Sequence, residues 1–254
     1  MDDIKGRSAQ PQPRWPWFAA GGLLLAAAAA AAISVHLLWL PCREIMWHGT
    51  VFASEQTGEI AEACSRRMDE GFPLMYFSED VGLTPSASQV GGLAMVLAVA
   101  SWIVVILGLR LGWRSTLLAL IAAVTPAIIA VGTLAAALNP GADLDVYLQG
   151  WLWMSVDVGA VVVFVLLLGS EPGLEGRTVF GLAVVLWGAT AFGGAHAITD
   201  YVIMIGINGY NWDTPPGTGW FTVAVIVIAG SAALWVGGRR REVPTVARPL
   251  APSA

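Results

Sequence analysis

Four ionisable side chains inside or beside long apolar runs carry most of the chemistry this chain could offer: Asp157, His196, Asp200 and His36. Asp157 lies six residues after Trp151, well inside an apolar stretch. A carboxylate at the centre of a membrane helix costs about 2.5–3.5 kcal/mol on insertion scales, so it should face protein and have a partner. His196 and Asp200 are spaced i, i+4, which places them on one face of a helix, and Gly193 and Ala189 extend that face. His36 lies about a turn before Pro41. If the runs are membrane helices, all four groups fall toward the same surface and can converge on one polar site. Three chemistries fit them. One is a buried polar lock, with Asp157 paired to a histidine or hydroxyl to fix helix packing. Another is a proton or ion relay. The third is a haem or metal site with His36 and His196 as ligands, although no HxxxH, HExxH or CxxCH spacing singles it out. No metal or cofactor is expected.

Cys42 and Cys64 are the only cysteines, and both lie in one long polar loop. Their separation is far from the CxxC spacing of redox-active pairs. In an oxidising compartment the expectation is a structural disulfide. Closing a loop of this size contributes roughly 3 kcal/mol in the chain-entropy model. The motifs GxSxG, GxxxxGK[ST] and HExxH are missing, so no catalytic residue is nominated and no enzymatic activity is expected.

The elements that must position these groups follow from composition. The chain is 56% hydrophobic and only 12% charged, against roughly 25% charged in soluble domains. Six apolar runs are each about the 20 residues needed to span a bilayer as helix: Phe18–Leu40, Val90–Leu109, Ser115–Leu138, Trp151–Gly169, Val179–Ile198 and Trp220–Val236. Continuous apolarity rather than alternation excludes barrel strands. Trp15, Trp17, Trp39, Trp113, Trp151, Trp153 and Trp220 at or near the run ends read as an interfacial aromatic belt. The expected fold class is therefore all-α, a polytopic integral membrane protein with six transmembrane helices.

Orientation follows the basic residues. With the N-terminus inside, Lys5, Arg7, Arg14, Arg110, Arg114, Arg177, Arg239, Arg240, Arg241 and Arg248 are internal, and only Arg43, Arg66 and Arg67 are external. This 10-to-3 asymmetry predicts both ends in the cytoplasm (N-in/C-in) and a bacterial plasma membrane as the location. Of the 18 acids, 12 fall in the outer loops, which makes the outer face acidic. The scattered basic groups read as topological anchors, and nucleic acid is excluded as a partner. The first run follows a basic segment but exceeds a signal peptide's usual apolar length, and no small-x-small site follows it closely; it is expected to be retained.

Residues 1–16 and 239–254 are proline-bearing and polar, expected to be disordered cytoplasmic ends around a membrane domain over 17–238. The outer loop 41–89 should hold a short helix capped by Thr57, passing through Ile60, Cys64 and Met68 and stopping at Gly71. Pro126 should kink the third span. The alanine run Ala26–Ala32, and the small-xxx-small pairs Ala189/Gly193 and Thr190/Gly194, should permit close helix approach. The segment Tyr201–Ile207 either extends the fifth span or lies along the interface.

The Ala/Gly/Val-rich spans and the loop pieces Pro41-Cys42-Arg43 and Ala63-Cys64-Ser65-Arg66-Arg67-Met68-Asp69 resemble the uncharacterised multi-pass membrane proteins of high-GC actinobacteria. That resemblance implies a membrane fold and no particular function. Six spans also resemble ABC-exporter permeases, but the short, proline-rich N-terminus departs from their basic amphipathic helix. The sequence thus leads to a non-catalytic accessory, assembly or sensing component in a lipid bilayer, with a membrane-protein partner or a second copy as its companion. A small proton- or ion-coupled transporter is the alternative, and a haem- or metal-binding redox protein a further one.

Overall fold

The computed structural model describes residues 12–43, 62–69, 87–138, 146–171, 173–208 and 214–239. Among these the protein is helical: α1 (Trp15–Leu38), a 3-10 turn (Leu40–Cys42), α2 (Glu62–Asp69), α3 (Ala87–Gly108), α4 (Trp113–Leu138), α5 (Val146–Ser170), α6 (Gly176–Ala189), α7 (Gly194–Asn208) and α8 (Trp220–Gly238). The expected loop helix is present as α2, while its proposed cap Thr57 and stop Gly71 lie outside the described residues, as do most of both chain ends.

Helix α1 is central and packs most extensively on α3 and α8. Its buried face is built of Ala20, Leu24, Ala27, Ala28, Ala31 and Val35. Alanine keeps the helix narrow, so both neighbours can approach closely, and packing rather than hydrophobic exclusion drives association among apolar helices in lipid. Helix α3 passes contact to α4, α4 to α5, and α6 packs on α8. Large apolar side chains point outward instead, including Ile128 and Val131 of α4 and Val158, Val161 and Val165 of α5. Pro126 sits buried within α4, which runs as one helix from Trp113 to Leu138.

Five helices (α1, α3, α4, α5 and α8) are long and apolar enough to cross a membrane. The fifth predicted run is different. Instead of one helix over Val179–Ile198, the chain forms α6 and α7, bent by 73° across a short break. The paired small residues Ala189/Gly193 and Thr190/Gly194 therefore do not share a continuous helix face; the break runs between them. Residues 201–207 continue α7 as helix.

Contacts define two ends. At the basic end the Arg110 amide donates to Gln12 Oε1 (3.0 Å), and Arg177 Nη1 donates to the Arg239 carbonyl (2.9 Å). The segment before α1 thus meets the end of α3, the start of α6 meets the end of α8, and Gly237 of α8 lies against Trp17 and Phe18 of α1. At the opposite end the Trp39 indole N–H donates to the Thr218 carbonyl (2.9 Å), and the Ser34 hydroxyl to the Ala87 carbonyl (2.6 Å). The Trp39 contact also corrects the belt reading. Trp15 and Trp113 are exposed, but Trp17, Trp39 and Trp153 are buried and serve as packing residues.

A Cys42–Cys64 disulfide with Cα atoms 5.0 Å apart ties α2 to the 3-10 turn. Both cysteines and Met68 are buried. The Thr214 amide donates to the Met68 carbonyl (2.8 Å), so α2 links the connection between α1 and α3 to the segment before α8. Replacing both cysteines by serine should lower the thermal midpoint of the purified protein, in line with a loss of roughly 3 kcal/mol or less. Membrane insertion should be unchanged. The check is a melting curve alongside membrane fractionation, together with a reduction-dependent gel shift in the unsubstituted protein.

Candidate functional site

The break in the fifth run creates a helix N-terminus inside the bundle. The first N–H groups of any helix lack intrahelical acceptors and carry partial positive charge. Helix α7 begins at Gly194, and the side chain that meets it comes from α5: the Ala195 amide donates to Asp157 Oδ2 at 2.8 Å. The other oxygen, Oδ1, lies 3.0 Å from His196 Nδ1. The imidazole Nδ1 donates to this oxygen in the forms of the ring that carry a proton there. The side chains of His196 and Asp157 are only 11% and 16% exposed, while the Ala195 backbone that donates to the carboxylate is at an exposed position. The Trp187 ring stands 6.1 Å from the imidazole, on the far side of the break.

Gly193 makes this approach possible. A Cβ at that position would run into the Asp157 carboxylate. Behind the break, Met95, Pro126, Ile129, Val156, Phe192 and Gly193 line a small apolar cavity of about 10 Å³. That is at the lower bound for one water, and its lining offers few polar partners, so it should stay dry. The carboxylate thus has an apolar wall to one side and a helix N-terminus in front of it.

Asp200, one turn beyond His196 on α7, serves a different helix. Its side chain is 1% exposed, yet it is met by several donors. The Gly219 amide (2.8 Å), the Thr222 amide (3.3 Å) and the Thr222 hydroxyl (3.1 Å) all donate to Oδ2, at the N-terminus of α8. Gly219 occupies the N-cap position with φ of +110°, a region disfavoured for other residues. Oδ1 of Asp200 has no hydrogen-bond partner among the described residues.

The four nominated groups therefore divide. Asp157 and His196 meet at the break, Asp200 caps α8, and the exposed His36 lies in the last turn of α1. Helix α7 packs on α5 and α8 rather than on α1, so His36 and His196 sit on helices without substantial contact. Among the described residues, no group of three or more His, Cys, Asp or Glu is arranged to hold a metal.

A third carboxylate of the same kind escaped the sequence reading. Glu171, in the short turn after α5, accepts from the Gly112 amide (2.8 Å) and the Ser115 hydroxyl (2.7 Å) at the start of α4. Its signal was present in Gly112-Trp113-Arg114-Ser115, a helix start lacking an acidic residue of its own. No protein-family model, curated protein or solved structure matches this chain.

Asp157→Ala should destabilise the protein by about 1–2 kcal/mol, because the start of α7 loses the acceptor of its Ala195 amide and of His196. Asp157→Asn should stay within about 1 kcal/mol of the parent, since an amide oxygen still accepts from Ala195. Gly193→Ala should be destabilising as well, through displacement of the carboxylate. Thermal melts of the three variants in one detergent check this ordering; equal losses for Ala and Asn at position 157 would contradict it. Gly219→Ala should separately cost about 1–3 kcal/mol from backbone strain, read in the same assay.

Proposed function

We propose that this protein is a six-pass component of a bacterial plasma membrane, with both ends in the cytoplasm, acting as a non-catalytic accessory or assembly factor. The observation that carries the reading is the occupation of Asp157 and Asp200. Each carboxylate accepts hydrogen bonds at the N-terminus of a neighbouring helix, the role of a packing lock. Six passes are supported by the two end contacts. The chain enters α6 at the basic end, where Arg177 meets Arg239, and reaches α8 at the opposite end, where Thr218 meets Trp39. The α6–α7 pair then acts as one broken span. The 10-to-3 distribution of basic residues supports the inward direction. The outward apolar faces of α4 and α5 suit lipid, a membrane-protein partner or a second copy. The likeness to actinobacterial multi-pass proteins fits the same location.

A small proton-coupled transporter is the second reading, and one observation favours it. Broken spans with ionisable groups at the half-helix N-terminus occur at transporter binding sites, and α7 starts at the Asp157–His196 pair. Against it, the protein's own carboxylate already occupies the N-terminus where an anionic substrate would sit.

Reporter fusions at Gly112, Ser170 and the C-terminus should report cytoplasm, and fusions at Gly58 and Gly141 the outside. A C-terminus found outside would overturn the six-pass reading. Purified in mild detergent, the protein should run as a defined complex with one membrane protein or with itself, unchanged by Asp157→Asn. A monomer that supports pH-gradient-driven flux in vesicles, with the flux abolished by Asp157→Asn at unchanged melting temperature, would replace the accessory reading with the transporter.

A further inference from the structure

The basic end holds a cavity of about 120 Å³ with three guanidinium groups around it, Arg14, Arg177 and Arg239, one from each of three segments. Arg14 precedes α1, Arg177 belongs to the first turn of α6, and Arg239 follows α8. Burial first, and then repulsion from Arg14 and Arg239, disfavours the charged form of the Arg177 guanidinium. Such an arrangement is unfavourable unless an anion offsets it. Glu175 also lines the cavity and supplies one negative charge, so among the described residues three cations stand against one anion.

Three further observations point to an acceptor-rich ligand. The helix N-termini of α1 and α6 both open on this cavity, and neither has a side-chain cap or an acidic residue in its first turn. The positive dipole ends of both helices therefore lie at the same space, although in α1 Pro16 has no N–H and the Trp17 N–H donates to the Arg14 carbonyl (3.1 Å). Arg177 Nε is buried and has no hydrogen-bond partner among the described residues. The Thr178 side chain lines the same space, adding a hydroxyl, while Trp17 and Val236 give it an apolar floor.

We propose that this cavity binds a phosphate group, and that the phosphate belongs to the headgroup of an anionic lipid. A phosphate offers several acceptor oxygens, which suits guanidinium forks and helix N-termini together. The apolar floor and the position at the end of three apolar helices favour a phosphate attached to acyl chains over a free ion. Basic pockets between membrane helices on the cytoplasmic side bind anionic headgroups by the same physics. The site is independent of the Asp157–His196 pair, so it stands whether the protein is an accessory factor or a transporter.

The test uses the full-length chain in a neutral detergent, with melting midpoint and native mass spectrometry as readouts. Mixed micelles of phosphatidylglycerol should raise the midpoint and leave lipid bound, and phosphatidylcholine should do neither. Arg177→Gln and Arg14→Gln should each weaken phosphatidylglycerol binding by about tenfold, the loss of one charge-assisted contact. Arg14 is exposed, so its variant retains the fold even if Arg177→Gln, which removes the bond to the Arg239 carbonyl, does not. Arg114→Gln lies outside the cavity and should bind as the parent does. Stabilisation by millimolar inorganic phosphate, lost in Arg14→Gln, would uphold the phosphate site while assigning it to a free ion. Binding unchanged in both cavity variants, or weakened equally by Arg114→Gln, or no response to either phosphate source, would overturn the proposal.

Discussion

A helix start carries N–H groups with no intrahelical acceptor, and neither lipid nor hydrocarbon side chains can satisfy them. This constraint organises the molecule. Three helices begin where another segment lends a carboxylate: α4 meets Glu171, α7 meets Asp157, and α8 meets Asp200. An isolated buried carboxylate would be as costly as the unsatisfied amides. Placed together, the two costs offset each other, because the carboxylate needs donors and the positive helix end needs an acceptor. The acids therefore act as cross-links between helices, each with a direction fixed by the helix it caps.

The broken fifth run depends on this pairing. A continuous helix from Gly176 onward would satisfy its own N–H groups and leave Asp157 facing apolar side chains. Interrupting the helix at 190–193 exposes fresh donors at the depth of the carboxylate. Gly193 leaves room for the carboxylate to reach them, and His196 takes up its second oxygen. The bend also redirects α7 toward α8, so that Asp200 meets Gly219 and Thr222. One break thus supplies both caps, and α7 is held at two points by two acids, one its own and one from α5.

The two ends of the bundle are built differently. The end opposite the basic residues is closed by specific bonds: the disulfide, the Thr214–Met68 hydrogen bond and the Trp39 indole on Thr218. The basic end gathers like charges around open space, with Arg177 donating to a carbonyl rather than to a carboxylate. Surface arginines at span ends are ordinarily explained by topology alone. Here three of them also share a cavity with two uncapped helix starts, and topology does not require that.

The sequence by itself determined the class of the protein and the position of nearly every helix. Apolar runs of membrane-spanning length are a property of local composition, and so is the asymmetry of arginine and lysine. The cysteine pair was legible for a similar reason, since only one pairing was available within the chain. Partners across the bundle were not legible. His196 and Asp200 share a helix at i, i+4 spacing, which suggested one site, yet they serve different helices. Trp39 looked interfacial from its place in the run, but it is buried. The break at 190–193 was hidden because its residues are as apolar as a helix interior. Glu171 looked like an ordinary loop acid. In each case the outcome depended on which helix end or backbone group lay opposite in space, and only tertiary packing decides that.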